Sequence, residues 1–264
     1  MCNLVGIPIM KNWQLNNISF FHEYLGGYRL MDKAGELLYR GEDMLGYLPR
    51  DSQNAKSIVM KNAAISATVE CNSESFRLEM QDDACRKHDA VVDEFTKWQC
   101  NIFELIAPAS LEKTICQMVY YLPKNSEREV NDILLKLENP VLKRLSIELH
   151  SPSLSQSMVL MFKDGSFTTH VNVEGYSLAP TTPPKMVNRF YQTEHQRKKV
   201  EIFNSVKLPQ AGNNYQWAVR LYVTVMEESP VTPTESNGWN HSAFSELLRM
   251  AEAAFSVMAK EFEK

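Results

Sequence analysis

Residues 63–81 read AAISATVECNSESFRLEMQ, and the fold class follows from this stretch. Ala63, Ile65, Ala67 and Val69 alternate with Ser66, Thr68 and Glu70. Asn72-Ser73-Glu74-Ser75 interrupts the run, after which Phe76, Leu78 and Met80 alternate with Arg77, Glu79 and Gln81. Successive strand residues point to opposite faces, so the stretch predicts a β-hairpin with one dry face and one wet face.

The period then changes. Asp82-Asp83 places acid where a helix begins. His88, Val91, Val92, Phe95, Trp98 and Ile102 recur at intervals of three and four, a single helical stripe that stops before Pro108. Residues 113–122 (KTICQMVYYL) are β-formers, apolar on both faces, as in a central strand. Ser126 and Glu129 form a capping box ahead of Val130, Ile133, Leu134 and Leu137. Leu145, Ile147 and Leu149 read as a short strand. Residues 158–162 and 167–173 flank Lys163-Asp164-Gly165-Ser166, and Asp-Gly between apolar runs signals a tight hairpin. Val200, Ile202 and Val206 suggest another strand, and residues 216–226 a longer one. Phe244, Leu248, Ala251, Phe255, Met258 and Phe262 step by three and four along a terminal helix. Upstream of the hairpin, residues 18–21 and 28–31 read as strands around Gly26-Gly27, and residues 37–39 as a third.

Strands therefore come in antiparallel sets and not in regular alternation with helices. The expected fold is α+β, with mostly antiparallel sheet packed by two or three long amphipathic helices. Ser75-Phe76 and Ser166-Phe167 open the second strands of two hairpins, consistent with two similar halves. That division gives an N-terminal β-rich segment 1–56, an α+β half 57–140 and a half 141–264 ending in the terminal helix. One continuous domain is the other reading.

Composition bounds the function. The chain has 264 residues, 44% of them hydrophobic, enough for a core without staples. A net charge of −4 argues against a duplex nucleic-acid binder; Lys185, Arg189, Arg197, Lys198 and Lys199 are the only basic cluster that would serve one. Cys2, Cys71, Cys85, Cys100 and Cys116 are odd in number and lack metal or redox spacing, as expected of free thiols in a reducing cytoplasm. No apolar run is long enough to span a membrane.

No nucleophile elbow, phosphate-binding loop or dinucleotide fingerprint is present. Cys85 and His88 lie one helical turn apart but have no further ligands at finger spacing, so neither a metal nor a cofactor is expected. The strongest polar set is Thr168, His170, Asn172 and Glu174. These share one face of a strand, where a histidine with polar neighbours could bind a ligand or move a proton. Residues 177–195 and 229–242 read as long loops. Tyr176, Phe190, Tyr191 and Arg197 in or beside the first, and Trp239 and His241 in the second, suit a partner-contact surface.

The leading expectation is a non-enzymatic cytoplasmic interaction or assembly module that binds a protein partner or itself as a homo-oligomer. The alternative is a small-molecule-binding domain or unfamiliar enzyme using the His170, Asn172 and Glu174 face, with methionines lining an adaptable cavity. Nucleic-acid binding through residues 185–199 is third.

Overall fold

A computed structural model describes residues 12–49, 57–81, 88–137, 157–177, 217–227 and 231–262. In chain order these form β1 (Gln14–Leu25), α1 (Leu30–Tyr39), β2 (Leu48–Pro49), β3 (Ser57–Asn62), β4 (Ala67–Asn72), β5 (Ser75–Gln81) and α2 (His88–Ile106). They continue with β6 (Ser110–Lys124), α3 (Glu127–Leu137), β7 (Ser157–Asp164), β8 (Phe167–Ser177), β9 (Trp217–Glu227) and α4 (Ser236–Phe262). All nine strands join one antiparallel sheet in the order β2-β3-β4-β5-β1-β6-β9-β8-β7. Outward from the β1–β6 pair, β1-β5-β4-β3 on one side matches β6-β9-β8-β7 on the other, and the two-residue β2 is an extra strand on the first side. Each side contributes a long central strand, a shorter helix, a run of antiparallel strands and a long helix.

The α+β class stands; among the described residues there are four helices of unequal length, 10, 19, 11 and 27 residues, of which two are long. The expected hairpin forms as β4 and β5, with Ala67, Val69, Cys71, Phe76, Leu78 and Met80 buried, but its first strand starts at Ala67 because residues 63–66 make the turn from β3. Its turn is an Asx structure in which the Asn72 side-chain oxygen accepts from the Glu74 and Ser75 amides, both at 2.8 Å. The Asp-Gly signal also holds, with Gly165 at φ +59° between β7 and β8.

Residues 28–31 and 37–39 are not strands. Gly26 adopts φ +84°, and a Cβ on Gly27 would collide with the Ser73 carbonyl, so the glycine pair breaks the strand and admits a 3-10 turn into α1. Leu30, Ala34, Leu37 and Leu38 then recur with helical period, and Leu30 and Leu37 are buried. The loop expected over 229–242 is also shorter, because α4 begins at Ser236. Glu235 accepts hydrogen bonds from the Thr232 hydroxyl (2.6 Å) and amide (3.3 Å), bracing the turn that leads into it.

The helices cover one face. Phe95 of α2 stacks on Phe20 of β1 (4.3 Å) and on Phe76 of β5 (5.3 Å). Phe244 and Phe255 of α4 reach Phe20 (5.7 Å) and Tyr120 of β6 (4.9 Å). Shorter α3 buries Val130 and Leu134 over β8, where a Cβ on Gly175 would stand 3.0 Å from Val130 Cγ1. Phe95→Ala should lower stability by about 3–5 kcal/mol through the cavity between the two flanking rings. Urea unfolding checks this, and a loss below about 1 kcal/mol would show that the stack carries little of the packing.

Candidate functional site

On β8, Thr169, Val171 and Val173 face the helices and are buried, so Thr168, His170, Asn172 and Glu174 share the outer face, as expected. Register brings them beside three residues of β9 that sequence reading did not anticipate: His170 opposite Thr224, Asn172 opposite Tyr222, and Glu174 opposite Arg220. Gln117 of β6 donates to the Thr224 hydroxyl at 2.9 Å. Val119, Tyr121 and Ala218 form a small second apolar cluster against Tyr222 on this face.

Glu174 does not orient His170. It receives Arg220, whose Nε lies 2.8 Å from Oε1 and whose Nη2 also contacts that oxygen. The same guanidinium lies 4.5 Å above the Tyr222 ring. Strand rise puts Glu174 roughly 13 Å along from His170, too far for proton relay. His170 Nε2 and Asn172 Oδ1 are buried and have no hydrogen-bond partner, and the same holds for Asn17 Oδ1 on β1. This face can therefore supply directional polar contacts but holds no histidine–carboxylate pair.

Next to this row runs β7, the outermost described strand at its end of the sheet. Met161 pairs with His170 and Val159 with Asn172. Val159, Leu160, Met161 and Phe162 are 53%, 43%, 67% and 45% exposed. Four consecutive large apolar side chains thus meet solvent on both faces of one strand, a pattern that soluble sheets ordinarily avoid at their edges.

Of the remaining expected contact residues, Trp239 and His241 have described side chains. Tyr176 ends in β8 with its side chain undescribed, and Phe190, Tyr191, Arg197 and the basic cluster at 185–199 lie outside the described residues. Trp239 is a correction: it sits in the first turns of α4, only 7% exposed, packing on His22 (5.8 Å) and Phe167 (6.3 Å). His241, one position past the buried Asn240, is exposed on α4. Cys71 and Cys116 are buried and Cys100 is exposed. Burial pushes the Cys71 thiol up to about 12 against the opposing hydrogen bond from Tyr24, and the Cys116 thiol also well up, so neither is a ready nucleophile. Cys2 and Cys85 lie outside the described residues. Among the described residues no group of three His, Cys, Asp or Glu could hold a metal ion, and no helix is long and apolar enough to cross a membrane.

Sequence reading missed a second polar assembly, buried between sheet and helices. Gln99 Oε1 accepts from Asn240 Nδ2 at 2.7 Å and from His22 Nε2 at 2.8 Å, while Gln99 Nε2 donates to Ser236 Oγ at 2.6 Å. This pattern puts the His22 proton on Nε2 and leaves Nδ1 an unpartnered acceptor. Phe76, Phe95, Phe103 and Trp239 surround the ring. The available signal was a histidine in register with Ile18, Phe20 and Tyr24 on an apolar face. No family model matches the chain, and no curated protein shows significant sequence similarity to it.

Burial lowers His22 from 6.5 to about 4, with the Gln99 and Asn240 hydrogen bonds acting the other way. Between these values the unfolded chain binds the extra proton and the folded chain does not. Stability should therefore fall as pH drops through this window, by up to roughly 3 kcal/mol from this group, with no contribution above it. His22→Gln should flatten that part of the profile. Parallel urea titrations of the two chains across the window test the assignment, and superimposable pH slopes would refute it.

Proposed function

We propose that the protein is a non-enzymatic interaction module whose contact element is the β7–β8 end of its sheet. The observation that carries this reading is the exposed run Val159-Leu160-Met161-Phe162 on the outermost described strand. An edge strand offers half its backbone N–H and C=O groups to an incoming strand, and side chains on either side of it supply the burial. The neighbouring His170 and Asn172 add polar groups beside Val159 and Met161, which suits recognition better than proton transfer. Homo-oligomerisation and a reducing cytoplasm belong to the same reading, supported by the free thiols and the apolar edge.

A second reading, a small polar ligand on the outer face, is favoured by the unpartnered buried atoms of His170, Asn172 and Asn17. It requires no contact through β7.

A photo-crosslinking residue in place of Met161, expressed in the full chain in the source cell, separates the readings. The interaction reading expects protein adducts from position 161 that are absent when the same residue replaces Lys97, an exposed position on α2. Adducts no different from those at position 97 would reject it.

A further inference from the structure

The two ends of the sheet are built differently. At one end β2 has only two residues, one of them Pro49, which lacks an N–H, and Leu48 lies opposite Lys61 of β3. A short strand, a proline and a lysine are the usual protections of an edge against pairing. At the other end β7 runs for eight residues, is free of proline, and bears no charged residue before Lys163. Its helix-side residues Leu160 and Phe162 are exposed too, though less than its outer-face residues Val159 and Met161. A partner that satisfies this strand therefore continues the sheet, bringing apolar side chains on both faces and little charge.

We infer that this partner is a second copy of the chain, joined β7 to β7 in antiparallel pairing with Leu160 on the two-fold axis. The inference rests on the interaction reading above and names its partner. Directly opposed residues of an antiparallel pair project to the same face, so a symmetric pairing must centre on a residue and not between two. Centring on Leu160 sets it against its own copy and sets Val159 against Met161 twice. Phe162 comes into register with Met158, and Lys163 with Ser157. Every central position then meets an apolar residue, and the two copies of Lys163 stand roughly 20 Å apart along the strand. Centring on Met161 would set Val159 against Lys163 and bury a charge beside an apolar side chain, while centring on Val159 would set Met161 against Ser157 and carry Phe162 past the end of the partner strand, so charge and length together favour the first register. The pair would make one continuous sheet across two chains, its protected β2 ends outermost.

The test uses the purified full chain. Sedimentation velocity over a concentration series should show a reversible dimer. Cysteine variants then read the register under mild oxidation, with wild type as background for the native thiols. Leu160→Cys should trap a covalent dimer about tenfold or more faster than Lys163→Cys, because only the first pair comes within disulfide reach. A chain that stays monomeric at every concentration overturns the inference, as does a dimer in which Lys163→Cys is trapped as fast as Leu160→Cys. If the chain is monomeric yet position 161 gives adducts with a different protein in the cell, the interaction reading stands and self-pairing falls. If position 161 gives no specific adduct either, both fall.

Discussion

The pairing of β1 with β6 holds the two sides of this sheet together. β1 pairs with β5 on one side and β6 on the other; β6 pairs with β1 and β9. Loss of that one ladder would separate the strands into two sheets, each still covered by a long helix. The helices reinforce the junction, because Phe20 on β1 contacts both Phe95 of α2 and Phe244 of α4. The buried His22–Gln99–Asn240 group spans the same three elements with hydrogen bonds. Its cost is an aromatic enclosure that disfavours the imidazolium. Its return is orientation: directional bonds fix how α2 and α4 approach the sheet, which apolar contacts alone specify less sharply.

Much of the fold was legible wherever one face of an element is dry and the other wet. The β4–β5 hairpin, the β7–β8 turn, β9 and the stripes of α2 and α4 all carry that contrast. α1 did not read correctly, since Gly26-Gly27 looks like a hairpin turn, and whether Leu30 and Leu37 share a helix face is decided by what packs on them. The start of α4 was hidden by Pro, Ser and Asn, although Thr232 and Glu235 stand at capping-box spacing. The β1–β6 contact was not legible at all. It joins segments roughly a hundred residues apart, and no local period encodes a long-range partner.

The candidate site shows the same division. That Thr168, His170, Asn172 and Glu174 share a face follows from strand period, and the structure agrees. That Glu174 is committed to Arg220 depends on the neighbour strand and could not be foreseen. The run Met158-Val159-Leu160-Met161-Phe162 is the sharper case. Taken alone it reads as a strand buried on both sides, much like residues 113–122, which do become the central β6. Sequence pattern reports how apolar a strand is, whereas position in the sheet decides whether that surface is covered.

That difference turns an ordinary strand into a functional signal. Exposed apolar area costs about 25 cal/mol per Å², so four large side chains left roughly half exposed carry a penalty that burial against another surface would relieve. The opposite edge shows that this fold accommodates a protected end, through a two-residue strand carrying Pro49 and a lysine across from it. Among the described residues, one end is blunted and the other carries no further strand, so the sheet favours strand addition at the β7 end. A blunted β2 end disfavours heterologous stacking of sheet on sheet, which would run on into fibres, and the proposed β7–β7 pairing would close on itself after two copies.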